Sequence, residues 1–85
     1  MTEMSGMDIT RRLYCFILHY FAAHRISPTQ REMADGCFVS AGTITRHLDR
    51  LEMFGLIERE PGLPRSVRLT DRDDEEMHCT EFDFD

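Results

Sequence analysis

Lysine is absent from this 85-residue chain, and all ten of its cations are arginine. A GC-rich coding bias produces that choice as readily as selection does, so it assigns no function. No apolar run approaches the roughly 18 consecutive residues that a membrane-spanning helix needs. The opening residues MTEMSGMD hold no basic segment followed by an apolar one, so no secretory signal is expected. Cysteine is scarce and odd in number: Cys15, Cys37 and Cys79. Without a signal, that count predicts free thiols in a reducing compartment, which places the chain in the cytoplasm. No C-x-x-C or H-x-x-x-H pair occurs, and Cys15 with His19 or His78 with Cys79 make poor ligand sets, so no metal is expected. A phosphate-binding glycine loop is missing, as is any nucleophile with an assigned base. The expectation is a non-enzyme without a cofactor.

What is present is an uneven charge distribution. The net charge is −6. Residues 71–85 carry eight acidic groups and a single arginine, Arg72, whereas residues 1–70 carry eight acidic groups and nine arginines. A nearly neutral body therefore precedes an acidic tail, and the sum misrepresents the body. Four roles are open for the tail, one of them that its end folds back as a strand. It could also solubilise the chain, compete with phosphate for arginines, or dock its acidic–aromatic end (Glu81 to Asp85) on a basic partner.

Hydrophobic spacing organises residues 8–70 into one domain, with residues 1–7 and the tail expected to be disordered. Asp8 or Thr10 can cap a first helix running to His24 or Arg25. At helical spacing Leu13, Tyr14, Phe16, Ile17, Tyr20 and Phe21 share a broad core face. Cys15, Leu18 and Ala22 form a narrower stripe, read as either tail-covered or a dimer seam. Ser27-Pro28-Thr29 breaks the chain before a short second helix, Thr29 to Asp35, with Met33 and Ala34 inward. Gly36 is expected to end it in the left-handed conformation. Cys37-Phe38-Val39 then turns the corner with apolar plugs.

The third helix starts at a Ser40 cap and runs to Phe54, ended by Gly55. Its first turns are small and polar (Ala41, Gly42, Thr43, Thr45, Arg46), and Ile44, Leu48 and Leu51 fall on the opposite side. Residues 56–60 and 66–70 alternate as two strands around a Pro61-Gly62-Leu63-Pro64 tip, with Ile57, Val67 and Leu69 inward and Arg68 outward. The expected fold is mainly α with a small antiparallel β-hairpin, a winged helix-turn-helix of three helices plus a wing.

These pieces, in order, resemble the N-terminal DNA-binding domain of the LexA repressors, and more loosely winged-helix regulators of the MarR type. The matching residues are Ser27-Pro28-Thr29, Arg31-Glu32-Met33-Ala34, Thr43 to Leu48, Leu51-Glu52, Gly55-Leu56-Ile57, and the wing Arg59 to Val67. They span residues 9–70. The turn between the second and third helices is one residue short, with its glycine displaced to Gly36. The peptidase domain that follows in the LexA family has no counterpart in these 85 residues, so self-cleavage is not carried over.

The resemblance implies a sequence-specific regulator of transcription whose partner is double-stranded DNA. Helix 40–54 would lie in the major groove, and wing 58–69 on the backbone or minor groove. Arg46 suits a bidentate guanine contact, Thr43 and Thr45 offer hydroxyl and methyl groups, and Gly42 permits close backbone approach. Thr29, Arg31, Ser40, Arg50, Arg65 and Arg68 are the candidate backbone contacts. Arg50 could instead pair with acids at helical spacing, and Arg59 and Arg68 with Glu58 or Glu60 across the hairpin. A homodimer joined through Cys15, Leu18 and Ala22 would read a palindrome. The competing reading is a winged-helix protein-interaction module that binds no DNA.

Overall fold

The computed structural model describes residues 6–60, 62, 63 and 65–70, with side chains from Ile9 onward. The acidic tail 71–85 and Cys79 lie outside the described residues, as do residues 1–5 of the expected disordered start. Three helices come first: α1 (Gly6–His24), α2 (Gln30–Cys37) and α3 (Ala41–Met53). Two short strands follow, β1 (Ile57–Glu58) and β2 (Arg68–Leu69), paired antiparallel with Ile57 opposite Leu69 and Glu58 opposite Arg68. This is the winged helix-turn-helix arrangement. No helix among the described residues is long and apolar enough to cross a membrane.

Each helix contributes its apolar stripe to one core. Leu13 and Ile17 of α1, Met33, Ala34 and Cys37 of α2, and Ile44, Leu48 and Leu51 of α3 are buried together. Leu56, Ile57 and Val67 extend that core beneath the wing. Tyr14, Phe16 and Phe21 pack at its margin, so most of the expected face of α1 turns inward, whereas Tyr20 stands outside that core with its hydroxyl on Glu32. Leu69 does not turn inward either: it is 37% exposed, at the end of a two-residue strand in a two-stranded sheet.

The helix boundaries follow local chemistry. Thr29 caps α2 in a reciprocal box. Its Oγ1 accepts from the Glu32 amide at 3.1 Å, and the Glu32 carboxylate accepts from the Thr29 amide at 2.8 Å. Ser40 caps α3 by accepting from the Thr43 amide. Gly55, at φ 77°, ends α3 as expected, with the Leu56 amide donating back to Leu51 O. At the start of α1 the helix extends to Gly6, beyond the expected capping residues Asp8 and Thr10. Thr10 is buried instead, 2.7 Å from His47 Nδ1.

The end of α2 departs most from expectation. Gly36 lies within the helix, and the left-handed residue is Phe38, at φ 60°. The Phe38 and Val39 amides both donate to Ala34 O. Gly36 is required by packing. A Cβ there would lie 2.3 Å from the Phe16 ring, so glycine is what lets α2 approach α1. Phe38 is not an apolar plug; its ring is 85% exposed.

Of the cysteines expected to be free thiols, Cys37 is free as expected and Cys15 is not. Cys37 is a free, buried thiol, and burial pushes its pKa up to about 11, which leaves it inert. Cys15 is fully buried and disulfide-bonded, so it is not a free thiol. Nor can it line a dimer seam, since it offers no surface to a second copy. That stripe reduces to half-buried Leu18 and exposed Ala22.

Candidate nucleic-acid interface

Helix α3 is built with two unlike sides. Ile44, Leu48 and Leu51 are fully buried, and Ala41, Gly42, Thr45 and Arg46 are exposed, with Thr43 half-buried beside the cap. No acid occupies the first turn, so the partial positive charge of the helix start is not cancelled locally. A Cβ on Gly42 would meet nothing nearer than Ser40 Oγ at 4.0 Å. Internal packing therefore does not demand glycine at this position. Its effect is to keep the outer surface of the first turn low.

The hydroxyls at this end are organised. Ser40 Oγ donates to Thr43 Oγ1 at 3.0 Å. Thr45 Oγ1 lies 3.2 Å from both Ala41 O and Gln30 Oε1. Gln30 thus joins the start of α2 to the exposed side of α3. Sequence reasoning passed over it, although the capping pattern Thr29-Gln30-Arg31-Glu32 places it in the exposed first turn.

The candidate arginines divide into two groups. Arg31 and Arg46 are exposed and form no ion pair among the described residues. The other candidates are engaged. Arg50 is half-buried and donates to Thr10 Oγ1 at 3.5 Å, on the side facing α1. Arg68 pairs with Glu58 across the hairpin at 3.5 Å and stays 67% exposed. Arg59 pairs with Asp49 and with Glu52 of α3 rather than with its hairpin neighbours. Arg65 is held by Glu32, Tyr20 and the Ser27 carbonyl. Thr29 and Ser40 spend their side-chain oxygens on helix caps, with Ser40 exposed and Thr29 half-buried.

Beneath this surface sits His47, only 4% exposed on the inner side of α3. Thr10 Oγ1 lies 2.7 Å from His47 Nδ1 and also accepts from Arg50 Nη1 at 3.5 Å. Burial, with help from Arg50 and Arg46, holds the His47 pKa below its usual value, in keeping with a neutral ring. Among the described residues, no group of three or more His, Cys, Asp or Glu could hold a metal ion.

A family model for the LexA DNA binding domain matches residues 8–66, nearly all of the helices and wing. The chain belongs to the LexA DNA-binding domain family. A LexA repressor of Xylella fastidiosa strain M12 is 37% identical over 81 residues, covering 94% of this chain and 35% of that repressor. One from Bacillus licheniformis is 36% identical over 81 residues, covering 92% and 37%. A third, from Clostridium perfringens, is 31% identical over 76 residues, covering 88% and 37%. The LexA-like chain therefore spans little more than a third of the length of these relatives. In this LexA-type domain α2 and α3 are the helix-turn-helix pair, and the exposed end of α3 is the candidate recognition surface.

Proposed function

We propose that this chain is a sequence-specific, double-stranded DNA-binding regulator of transcription that acts in the cytoplasm. One observation carries the reading most directly. The small, polar, exposed start of α3 presents an unpaired Arg46, with no acid in its first turn, in a chain of the LexA DNA-binding domain family. In this reading α3 enters the major groove, where Arg46 meets guanine and Gly42, Thr43 and Thr45 meet neighbouring base edges. Arg31, Arg68 and the capped starts of α2 and α3 at Thr29 and Ser40 supply backbone contacts. Arg50 and Arg65, both held within the protein, are left out of that set. Family membership weighs against the protein-interaction module that the overall charge allows. We further propose two copies on one site, which predicts a palindrome with half-sites about one helical turn apart.

Selection from a pool of random duplexes tests this. Enrichment of a single motif is expected, and its symmetry reports the number of copies bound. For Arg46→Ala, specificity at one base pair relaxes and affinity for the selected duplex falls by about 1–3 kcal/mol. For Arg31→Ala, binding weakens on all sequences alike, and the slope of log K against log salt shallows by about 0.9. Failure of the wild-type chain to enrich any duplex would overturn the reading.

A further inference from the structure

The wing returns across the protein on a set of polar contacts that the DNA-contact reading of Arg65 does not explain. Arg65 Nη1 lies 3.1 Å from Glu32 Oε1, 3.0 Å from Ser27 O and 3.3 Å from Tyr20 Oη. Its Nη2 donates to Glu32 Oε2 at 3.4 Å. Tyr20 Oη donates to the same carboxylate oxygen at 3.0 Å. Two residues further on, the Val67 amide donates to Ser27 Oγ at 3.1 Å. One arginine and one amide thus tie the wing to α1, to the α1–α2 turn and to the first turn of α2.

On its other side the wing meets α3 just past its first strand, where Arg59 pairs with Asp49 and Glu52. A cavity of about 250 Å³ also lies between them, bordered by Gln30, Thr45, Leu48, Glu52 and Leu63. The hairpin has two residues per strand, and Leu63 and Leu69 remain exposed. The outgoing segment is thus tied to α3 by Arg59, and the return segment, residues 65–67, is tied to the α1–α2 side. We infer that Arg65, Glu32, Tyr20 and Ser27 form a clamp that sets the wing's angle to the recognition helix, which makes Arg65 a positioning residue and not a phosphate contact. This rests on the DNA-binding reading for its functional meaning, though the clamp itself is a property of the free protein. Glu32 is suited to the task because its carboxylate has two jobs. Oε1 closes the capping box on the Thr29 amide while both oxygens face the Arg65 fork. Movement of the wing is thereby coupled to the start of α2, where Gln30 touches Thr45 of α3.

The two roles for Arg65 predict opposite results for Glu32→Gln. Glutamine still closes a capping box, so α2 is preserved. If Arg65 were a phosphate contact held back by Glu32, releasing it would tighten binding and steepen the salt dependence. As a clamp, its release loosens the wing. Affinity for the duplex selected by the wild-type chain then falls about three- to fivefold, with the salt slope unchanged. Arg65→Lys is the second variant. It keeps the charge but loses the planar fork, so it behaves like Arg65→Gln under the clamp and like wild type under phosphate contact. The readout independent of DNA is amide exchange at residues 66–70 of the free protein, expected to quicken in Glu32→Gln and Arg65→Lys while α3 stays protected. Tighter binding by Glu32→Gln, a slope lowered by about 0.9 in Arg65→Gln alone, or unchanged wing exchange would each overturn the clamp. Should the wild-type chain select no duplex, the DNA reading fails, and the exchange experiment still decides the clamp.

Discussion

The helices and the wing of this protein are held by different forces. Leu13, Ile17, Met33, Ile44, Leu48 and Leu51 are all at most 1% exposed. Each removes a large apolar side chain from water, worth about 1.5–3 kcal/mol. The wing has little of this. Only Val67 of its return segment reaches the core, and the rest is secured by hydroxyls and charges. Ser66 Oγ bridges the Glu60 amide and carbonyl, Thr70 Oγ1 donates to Gly55 O, and Arg65 grips Glu32. Such solvent-facing polar contacts, screened and in competition with water, stabilise far less than the burial of a large apolar side chain. The difference suits the proposed function: the helix that would read bases is rigidly seated, and the element beside it can be adjusted at small cost.

The largest test of the comparison is Leu48→Ala. Leu48 is fully buried on the inner side of α3 and also floors the cavity below the wing. Truncation is expected to cost about 2–5 kcal/mol, a large share of what so short a chain can possess. Equilibrium denaturation should show one transition moved to lower denaturant, with helices and wing lost together. If wing amides exchanged as in wild type while the helices melted, the wing would not depend on the core beneath it.

A smaller effect, of instructive sign, is expected at Gly36. Elsewhere in a helix, glycine to alanine gains about 1 kcal/mol. Here the new Cβ would sit 2.3 Å from the Phe16 ring, and overpacking costs about 1–3 kcal/mol. Gly36→Ala should therefore destabilise the wild-type chain, and in a Phe16→Ala background it should stabilise. Denaturation midpoints of the four proteins in that cycle check both signs. A stabilising Gly36→Ala in wild type would show that the α1–α2 contact is looser than the structure has it.

The comparison also separates what the sequence disclosed from what it hid. Apolar spacing at period 3.6 located the inner faces of α1 and α3, Ser40 and Gly55 marked the ends of α3 and Thr29 the start of α2, because caps and stripes are local in the chain. The polar start of α3 was legible for the same reason. Contacts between distant residues were not. Nothing near Gly36 announces Phe16, and a Cβ clash was read as a helix stop. Thr10 looked like a cap until α3 brought His47 against it. Arg65 looked like any basic residue on a hairpin. Its partners Tyr20, Ser27 and Glu32 lie 33–45 positions away in sequence, and only the fold assembles them.

Acidification should break the two regions in sequence, and by the smallest increments. His47 belongs to the helical part and is held neutral by burial, with a pKa lowered from 6.5. The unfolded chain binds a proton at His47 before the folded chain does. Its contribution to stability is thus fully present above pH 6.5 and declines as pH falls toward the lowered folded value. Glu32 belongs to the wing clamp. The Thr29 amide, followed by Tyr20 and Arg65, holds its carboxylate at about 2, below the ordinary 4.5. Its contribution is intact above pH 4.5 and is lost as pH falls toward about 2. Stability measured by denaturation should decline in two separate windows. His47→Gln should erase the upper one alone, and Glu32→Gln the lower one alone. Because Glu32 is partly exposed, salt should shrink the lower decline and leave the upper one nearly unchanged. If His47→Gln left the upper decline intact, the buried ring would not be its source. If salt abolished both declines equally, the division between a buried helical core and a solvent-facing wing clamp would fail.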